Sequence, residues 1–177
     1  MEKTEIRKRY VVHSEFRPGQ EEVIDHILSG QDCLGVMPTG AGKSMCYQIP
    51  ALMLGGTTIV ISPLISLMKD QVEGLQQSGV SAACINSSLS TAEYFSVLDR
   101  ASAGEYSIIY VAPERLSTEN FLEMCRNITI PLVAVDEAHC VSHWGQDFRP
   151  SYLKIAEFVQ SLPKRPVLAA FTATATD

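Results

Sequence analysis

Residues 37–44 read Met37-Pro38-Thr39-Gly40-Ala41-Gly42-Lys43-Ser44. The stretch has the pattern of a phosphate-binding loop, G-x-x-x-x-G-K-[ST], with Met37 in place of the first glycine. Gly40 and Gly42 lack a Cβ, so the backbone can curl tightly and turn successive N–H groups toward one point. Those groups, with the N-terminus of a following helix, favour an anion. Lys43 adds a mobile positive charge for β- and γ-phosphates. The Ser44 hydroxyl is a hard oxygen ligand for Mg²⁺. A plainer reading stands beside this one: a glycine-rich strand-to-helix turn with an incidental Lys-Ser pair.

The flanks fit the first reading. Cys33–Met37 is an apolar run that reads as a buried strand, and Ser44–Leu54 is compatible with a helix, which Pro50 is expected to end or kink. Further along, apolar β-branched runs recur at Thr57–Ser62, Ala82–Ile85, Ser107–Val111, Leu132–Val135 and Val167–Phe171. Helix-compatible segments separate them at Ser66–Ser78, Thr91–Ala103, Thr118–Asn127 and Pro150–Ser161. An earlier helix runs from about Pro18 to Leu28, with Val23, Ile24, Ile27 and Leu28 on one face. Continuous apolar strands alternating with helices predict an α/β fold, with a mainly parallel sheet and helices on both faces. Crossovers should be right-handed. Ligands in such sheets bind beyond the carboxyl ends of the strands.

Asp136-Glu137-Ala138-His139 follows directly after one such strand. Asp136 can hold Mg²⁺, and Glu137 can orient and deprotonate an attacking water. A solvated acidic turn is the alternative, but a phosphate loop and an acidic pair both at strand ends make the two halves of a nucleotide-hydrolysing site. Thr172-Ala173-Thr174-Ala175-Thr176 closes another apolar strand. It reads either as a polar strand exit or as a link from the carboxylate loop to a neighbouring domain. Ser142–Pro150 holds the sole tryptophan, and Gly145 and Pro150 argue for a loop. Trp144 and Phe148 there either stack on the bases of a single strand or pin the loop to the core.

Composition sets the outer bounds. The chain has 177 residues, 46% apolar and 19% charged, which suits one globular domain. No apolar run reaches about 18 residues, so no membrane helix is expected. The charged start, Met1–Tyr10, lacks a signal-peptide core, and a cytoplasmic location follows as the simplest expectation. Arg7-Lys8-Arg9, within a lead-in segment 1–15, reads as a solvated helix face. Five cysteines with no C-x-x-C suggest neither zinc nor disulfides, and Cys33 and Cys84 are expected to be buried. A net charge of −6 argues against DNA binding through a generally basic surface. Any nucleic-acid partner must therefore be argued from motifs.

Together these motifs resemble the first RecA-like motor domain of superfamily-two helicases, and most closely the RecQ family of DNA helicases. The resemblance covers residues 16–177. Phe16-Arg17-Pro18-Gly19-Gln20 is similar to the family's adenine-recognition motif, although Val11-Val12 stands where an aromatic-glycine pair is usual. Met37–Ser44 is similar to the helicase form of the phosphate loop, in which a non-glycine first residue is ordinary. The resemblance implies ATP and Mg²⁺ as cofactors. It implies that Arg17, Gln20, Thr39, Gly40, Ala41, Gly42, Lys43 and Ser44 bind nucleotide. Ser44 and Asp136 would hold the metal, and Lys43, Asp136, Glu137 and His139 would form the catalytic set of a DEAH box.

The family's DNA-contact and coupling segments are matched as well. Ser62–Gln71 contributes Ser62, Pro63, Lys69 and Gln71, and Ala112–Leu116 contributes Glu114 and Arg115. The aromatic-rich loop contributes His143, Trp144, Phe148 and Arg149, and the Thr-Ala-Thr motif contributes Thr172 and Thr174. The resemblance implies single-stranded and forked DNA as partners. It implies ATP-driven 3′-to-5′ translocation and unwinding in DNA repair and recombination. The family's second RecA-like domain, with its arginine finger, is not matched within 177 residues. The segment alone is therefore expected to bind ATP weakly and not to unwind. A nucleic-acid-dependent ATPase or translocase without unwinding activity is the alternative, and a non-catalytic binding module a more distant one.

Overall fold

The structure, a computed structural model, describes residues 19–37, 42–138 and 148–173, with 148–152 and 173 given by backbone alone. Six strands form one parallel sheet: β1 Cys33–Met37, β2 Thr58–Ile61, β3 Ala82–Ile85, β4 Ile108–Val111, β5 Leu132–Val135 and β6 Val167–Ala173. Their order across the sheet is β1-β6-β5-β2-β4-β3, with β1 and β3 at the edges. Among the described residues six helices connect or precede them: α1 Gln20–Leu28, α2 Met45–Leu54, α3 Ile65–Gln77, α4 Thr91–Ser102, α5 Glu119–Arg126 and α6 Phe148–Ser161. A 3₁₀ turn, Pro113–Arg115, follows β4.

The period-two alternation of a strand sorts the apolar residues onto two faces. Ile59, Ile61, Ile109, Val111, Val133 and Val135 pack with α4, α5 and α6 through Leu98, Phe121 and Phe158. Val60, Ile108, Tyr110, Leu132 and Ala134 face the other way, onto Ile27, Tyr47 and Met68 of α1, α2 and α3. Steps toward β3 thus carry their helices on one face and steps back toward β1 carry theirs on the other, as a single crossover hand requires. The three central strands β2, β4 and β5 are buried on both faces. That is why their sequences read as unbroken apolar runs.

Four expectations needed correction. α2 runs through Pro50 to Leu54. Every residue from Met45 to Ala51 is buried, and that packing outweighs the one helical bond Pro50 cannot make. α6 begins at Phe148, so Phe148–Pro150 is helix and not loop. Pro150 falls in the first turn, where no intrahelical N–H is needed. Cys33 and Cys84 are half-buried, because they lie on the two edge strands. Finally, β1 is not covered on both faces: Leu34 is 65% and Val36 53% exposed. Among the described residues no helix is long and apolar enough to cross a membrane.

Candidate functional site

The candidate residues gather at the carboxyl ends of the strands. β1 leads into the 37–44 loop, β5 into Asp136 and Glu137, and β6 ends at Thr172-Ala173. β2 leads into Ser62 and Pro63, and β4 into Glu114 and Arg115. The sheet order therefore puts the nucleotide candidates at the ends of β1 and β5, the coupling candidate Thr172 on β6 between them, and the nucleic-acid candidates next to them after β2 and β4.

Lys43 is the centre of the first group. It leads into α2 and is 9% exposed. Its Nζ donates to Glu137 Oε1 at 2.6 Å and lies 3.1 Å from Asp136 Oδ1. Burial works against its charge, but the hydrogen bond to Glu137 and the charge of Asp136 prevail, so its pKa is held above the usual lysine value. Asp136 is itself positioned by backbone. Its N–H donates to Ile61 C=O at 2.9 Å, carrying the β5–β2 ladder one residue past the strand. Its Oδ1 accepts the Glu137 N–H at 2.9 Å. Glu137 takes a left-handed backbone, φ 54°, rare for a side chain with a Cβ. That twist ends the strand and lets consecutive carboxylates meet one lysine.

Two further polar groups frame the loop. Gly42 has φ 75°, and its carbonyl accepts the Gln20 side-chain amide at 2.9 Å. Gln20, only 1% exposed, ties the start of α1 to the loop. Ser44 stands at the N-cap of α2, where its carbonyl accepts the Gln48 N–H at 2.9 Å. A carboxylate and a hydroxyl are the hard oxygen donors that Mg²⁺ selects. The Lys43 ammonium already shows that a cation is drawn between Asp136 and Glu137. The residues present therefore fit a Mg²⁺-nucleotide.

The nucleic-acid candidates divide. Lys69 is exposed on α3, and Ser62 is buried with its N–H on Val111 C=O at 3.1 Å. Gln71 accepts the Gln48 amide at 2.9 Å. Glu114 is exposed, whereas the Arg115 guanidinium lies 4.6 Å over the Tyr94 ring, with Nη2 3.5 Å from Asn86 C=O. Arg115 is thus tied to the domain through an aromatic stack. Arg17, Thr39, Gly40, Ala41, His139, His143, Trp144 and Thr174 lie outside the described residues, as do the lead-in 1–15 and the side chains of Phe148 and Arg149.

Reading the motifs alone missed three residues. Tyr47 Oη lies 2.7 Å from Tyr110 Oη and donates to Asp136 Oδ2 at 3.3 Å. Gln48 Nε2 donates to Tyr110 Oη at 3.0 Å. The available signal was a tyrosine in the otherwise aliphatic strand Ile108–Val111, since a buried phenol needs a partner.

Comparison with known proteins gives the family and the fold. The DEAD/DEAH box helicase profile matches residues 17–177. The chain is 52% identical to the ATP-dependent DNA helicase RecQ of Bacillus subtilis, over 94% of this chain and 28% of that protein. It is 48% identical to the RecQ of Haemophilus influenzae, over 96% of this chain and 27% of that one. The chain thus spans just over a quarter of these relatives. Among solved structures, a hypothetical ATP-dependent RNA helicase from Sulfolobus tokodaii superposes with a TM-score of 0.75 at 21% identity, covering 97% of this chain and 50% of the other. The DUF1998 helicase MrfA bound to DNA and AMPPNP superposes with a TM-score of 0.71 at 19% identity, covering 99% and 26%. At these identities the superpositions establish the RecA-like fold.

Proposed function

This chain belongs to the DEAD/DEAH box helicase family, and on that premise we propose that it is the ATP-binding half of a RecQ-type DNA helicase motor. The observation that carries the reading is Lys43, held between Asp136 and Glu137 at adjoining strand ends. An ammonium that neutralises two carboxylates is poised to exchange them for phosphates. On nucleotide entry Lys43 turns to the β- and γ-phosphates and releases Glu137. Glu137 is then free to orient and deprotonate water. Ser44 and Asp136 would hold Mg²⁺, which neutralises charge on the phosphates when bound. Gln20 reads the base edge, positioned by its bond to Gly42.

The finer reading is ATP-driven 3′-to-5′ translocation along single-stranded DNA, with unwinding of forks. Ser62, Pro63, Lys69, Gln71, Glu114 and Arg115 would supply the strand track, and His143, Trp144, Phe148, Arg149, Thr172 and Thr174 the coupling. An arginine finger from a second RecA-like domain would complete the site, a contribution of about 10³–10⁵ in rate in related NTPases. Residues 1–177 alone would then bind ATP and hydrolyse it very slowly. Titration with Mg-ATP and Mg-GTP by calorimetry tests this, with Lys43→Ala as control. Binding of ATP over GTP, lost in the variant, supports the reading. Binding of neither nucleotide, or equal binding by Lys43→Ala, overturns it. A strand-displacement assay on the longer protein separates a helicase from a translocase that does not unwind.

A further inference from the structure

Beneath the sheet face that carries Tyr110 runs a line of side chains that reaches from the nucleotide site to α3. Gln48 Nε2 donates to Tyr110 Oη at 3.0 Å and to Gln71 Oε1 at 2.9 Å. The Tyr110 and Tyr47 hydroxyls are 2.7 Å apart, and Tyr47 Oη is 3.3 Å from Asp136 Oδ2. The two ends fix the direction of every bond between them. An amide NH₂ can only donate and an ionised carboxylate can only accept. Tyr110 therefore accepts from Gln48 and donates to Tyr47, and Tyr47 donates to Asp136. No hydroxyl in the line can reverse while both ends keep their state.

The setting makes the line rigid. Tyr47 is 0% and Tyr110 1% exposed. Their rings are edge-on at 6.2 Å, and Phe171 of β6 packs on Tyr47 at 5.5 Å. Burial, together with the charge of Asp136, pushes the Tyr47 phenol well up, so it remains a proton donor. A hydroxyl without its partner at this depth is costly, so a change at one end is passed on rather than absorbed.

We propose that Tyr47 and Tyr110 are positioning residues for the Asp136 carboxylate, and that with Gln48 they tie its orientation to Gln71 on α3. This rests on the reading that the site takes Mg-nucleotide and that α3 lies on the nucleic-acid track. If Asp136 exchanged the Lys43 ammonium for a bound metal, its Oδ2 would shift against Tyr47. The donor line would move with it, and Gln71 would change its hold on Gln48. By thermodynamic reciprocity, a ligand that pulls on Gln71 changes the affinity at Asp136 by the same factor.

The test uses the ¹⁵N-labelled chain and follows the Gln48 and Gln71 side-chain amide resonances at saturating Mg-ADP. Both are expected to shift in the wild type. In Tyr110→Phe, and separately in Tyr47→Phe, the Gln71 shift is expected to vanish while the backbone spectrum stays folded. A Gln71 resonance that is unmoved by bound Mg-ADP in the wild type overturns the proposal. So does one that moves equally in both phenylalanine variants. A nucleotide-free arm uses Asp136→Asn, which removes the charge at the end of the line. It should shift Gln71 with Tyr110 present and leave it in place with Tyr110→Phe, and equal shifts in the two backgrounds overturn the proposal. Absence of Mg-ADP binding would count against the nucleotide reading alone, and the Asp136→Asn arm would then decide the line by itself.

Discussion

Lys43 Nζ and Glu137 Oε1 are 2.6 Å apart across 94 residues of chain, and Asp136 Oδ1 shares the same ammonium at 3.1 Å. All three side chains are at most 14% exposed. Lys43→Ala leaves two adjacent carboxylates without a cation. Breaking a buried pair in this way costs about 3 kcal/mol. Urea unfolding at pH 7 should show that loss. The folded pKa of Lys43 is raised, so its contribution is complete below the ordinary lysine value of 10.5 and fades as pH rises through the raised value. The gap between wild type and Lys43→Ala should therefore narrow only in strong alkali.

Gly42→Ala should damage both the backbone and Gln20, the residue proposed to read the base. At φ 75° a side chain costs about 1–2 kcal/mol. The new Cβ would also collide with Gln20 Nε2. Melting temperature should fall, and discrimination between ATP and GTP should shrink. A variant that melts normally and keeps full discrimination would show that Gln20 is not held by Gly42.

The thiols should react in an order set by burial. Desolvation pushes Cys46 and Cys125 up to about 12, so only about 10⁻⁴ of either is thiolate at pH 8. Cys33 and Cys84 are also raised by burial but are half-exposed on the edge strands. Among the four described cysteines, peptide mapping after iodoacetamide treatment should find Cys33 and Cys84 labelled before Cys46 and Cys125. Cys46 and Cys125 should label only in denaturant.

Ser90 and Glu93 form a reciprocal cap at the start of α4: Ser90 Oγ accepts the Glu93 N–H at 3.2 Å, and Glu93 Oε1 accepts the Ser90 N–H at 3.1 Å. Ser90→Ala should cost about 1 kcal/mol, a drop of roughly 2–4 °C for a domain of this size. The hydrogen bond from the Ser90 N–H lowers the Glu93 pKa, so its part in the cap is present above the ordinary value of 4.5 and is lost as pH falls through the lowered value. Calorimetric scans from pH 7 to pH 3 should show the deficit of Glu93→Ala shrinking, because that variant lacks the titrating partner of the Ser90 N–H.

The architecture was open to reading because its signals are local. Cys33–Met37, Ala82–Ile85 and Leu132–Val135 are strands with the expected ends; for Leu132–Val135 the reason is that a doubly buried strand needs an unbroken apolar run. The acidic pair and the lysine were legible because glycine spacing and strand-end placement each have a physical reason. Pro50 misled because its cost is local and the packing that overrides it is not. Leu34 and Val36 misled for a related reason: an edge strand and a central strand can carry the same letters. Tyr47, Gln48 and Tyr110 were hidden because α2 and β4 come together only in the fold.

β6 lies between β1 and β5 and pairs with both, Cys33 opposite Ala169 and Ala134 opposite the same Ala169. The lysine strand and the carboxylate strand never touch each other directly. Val167–Ala173 is therefore the keystone, and among the described strands it is the last to leave the ribosome. Lys43 waits through about 130 residues of synthesis, on the order of 10 s, before that wedge can draw its strand against the one bearing Asp136. Once Glu137 is made, a nascent chain carries both halves of the site through roughly 36 more residues of synthesis, about 2–7 s, before β6 can draw them together.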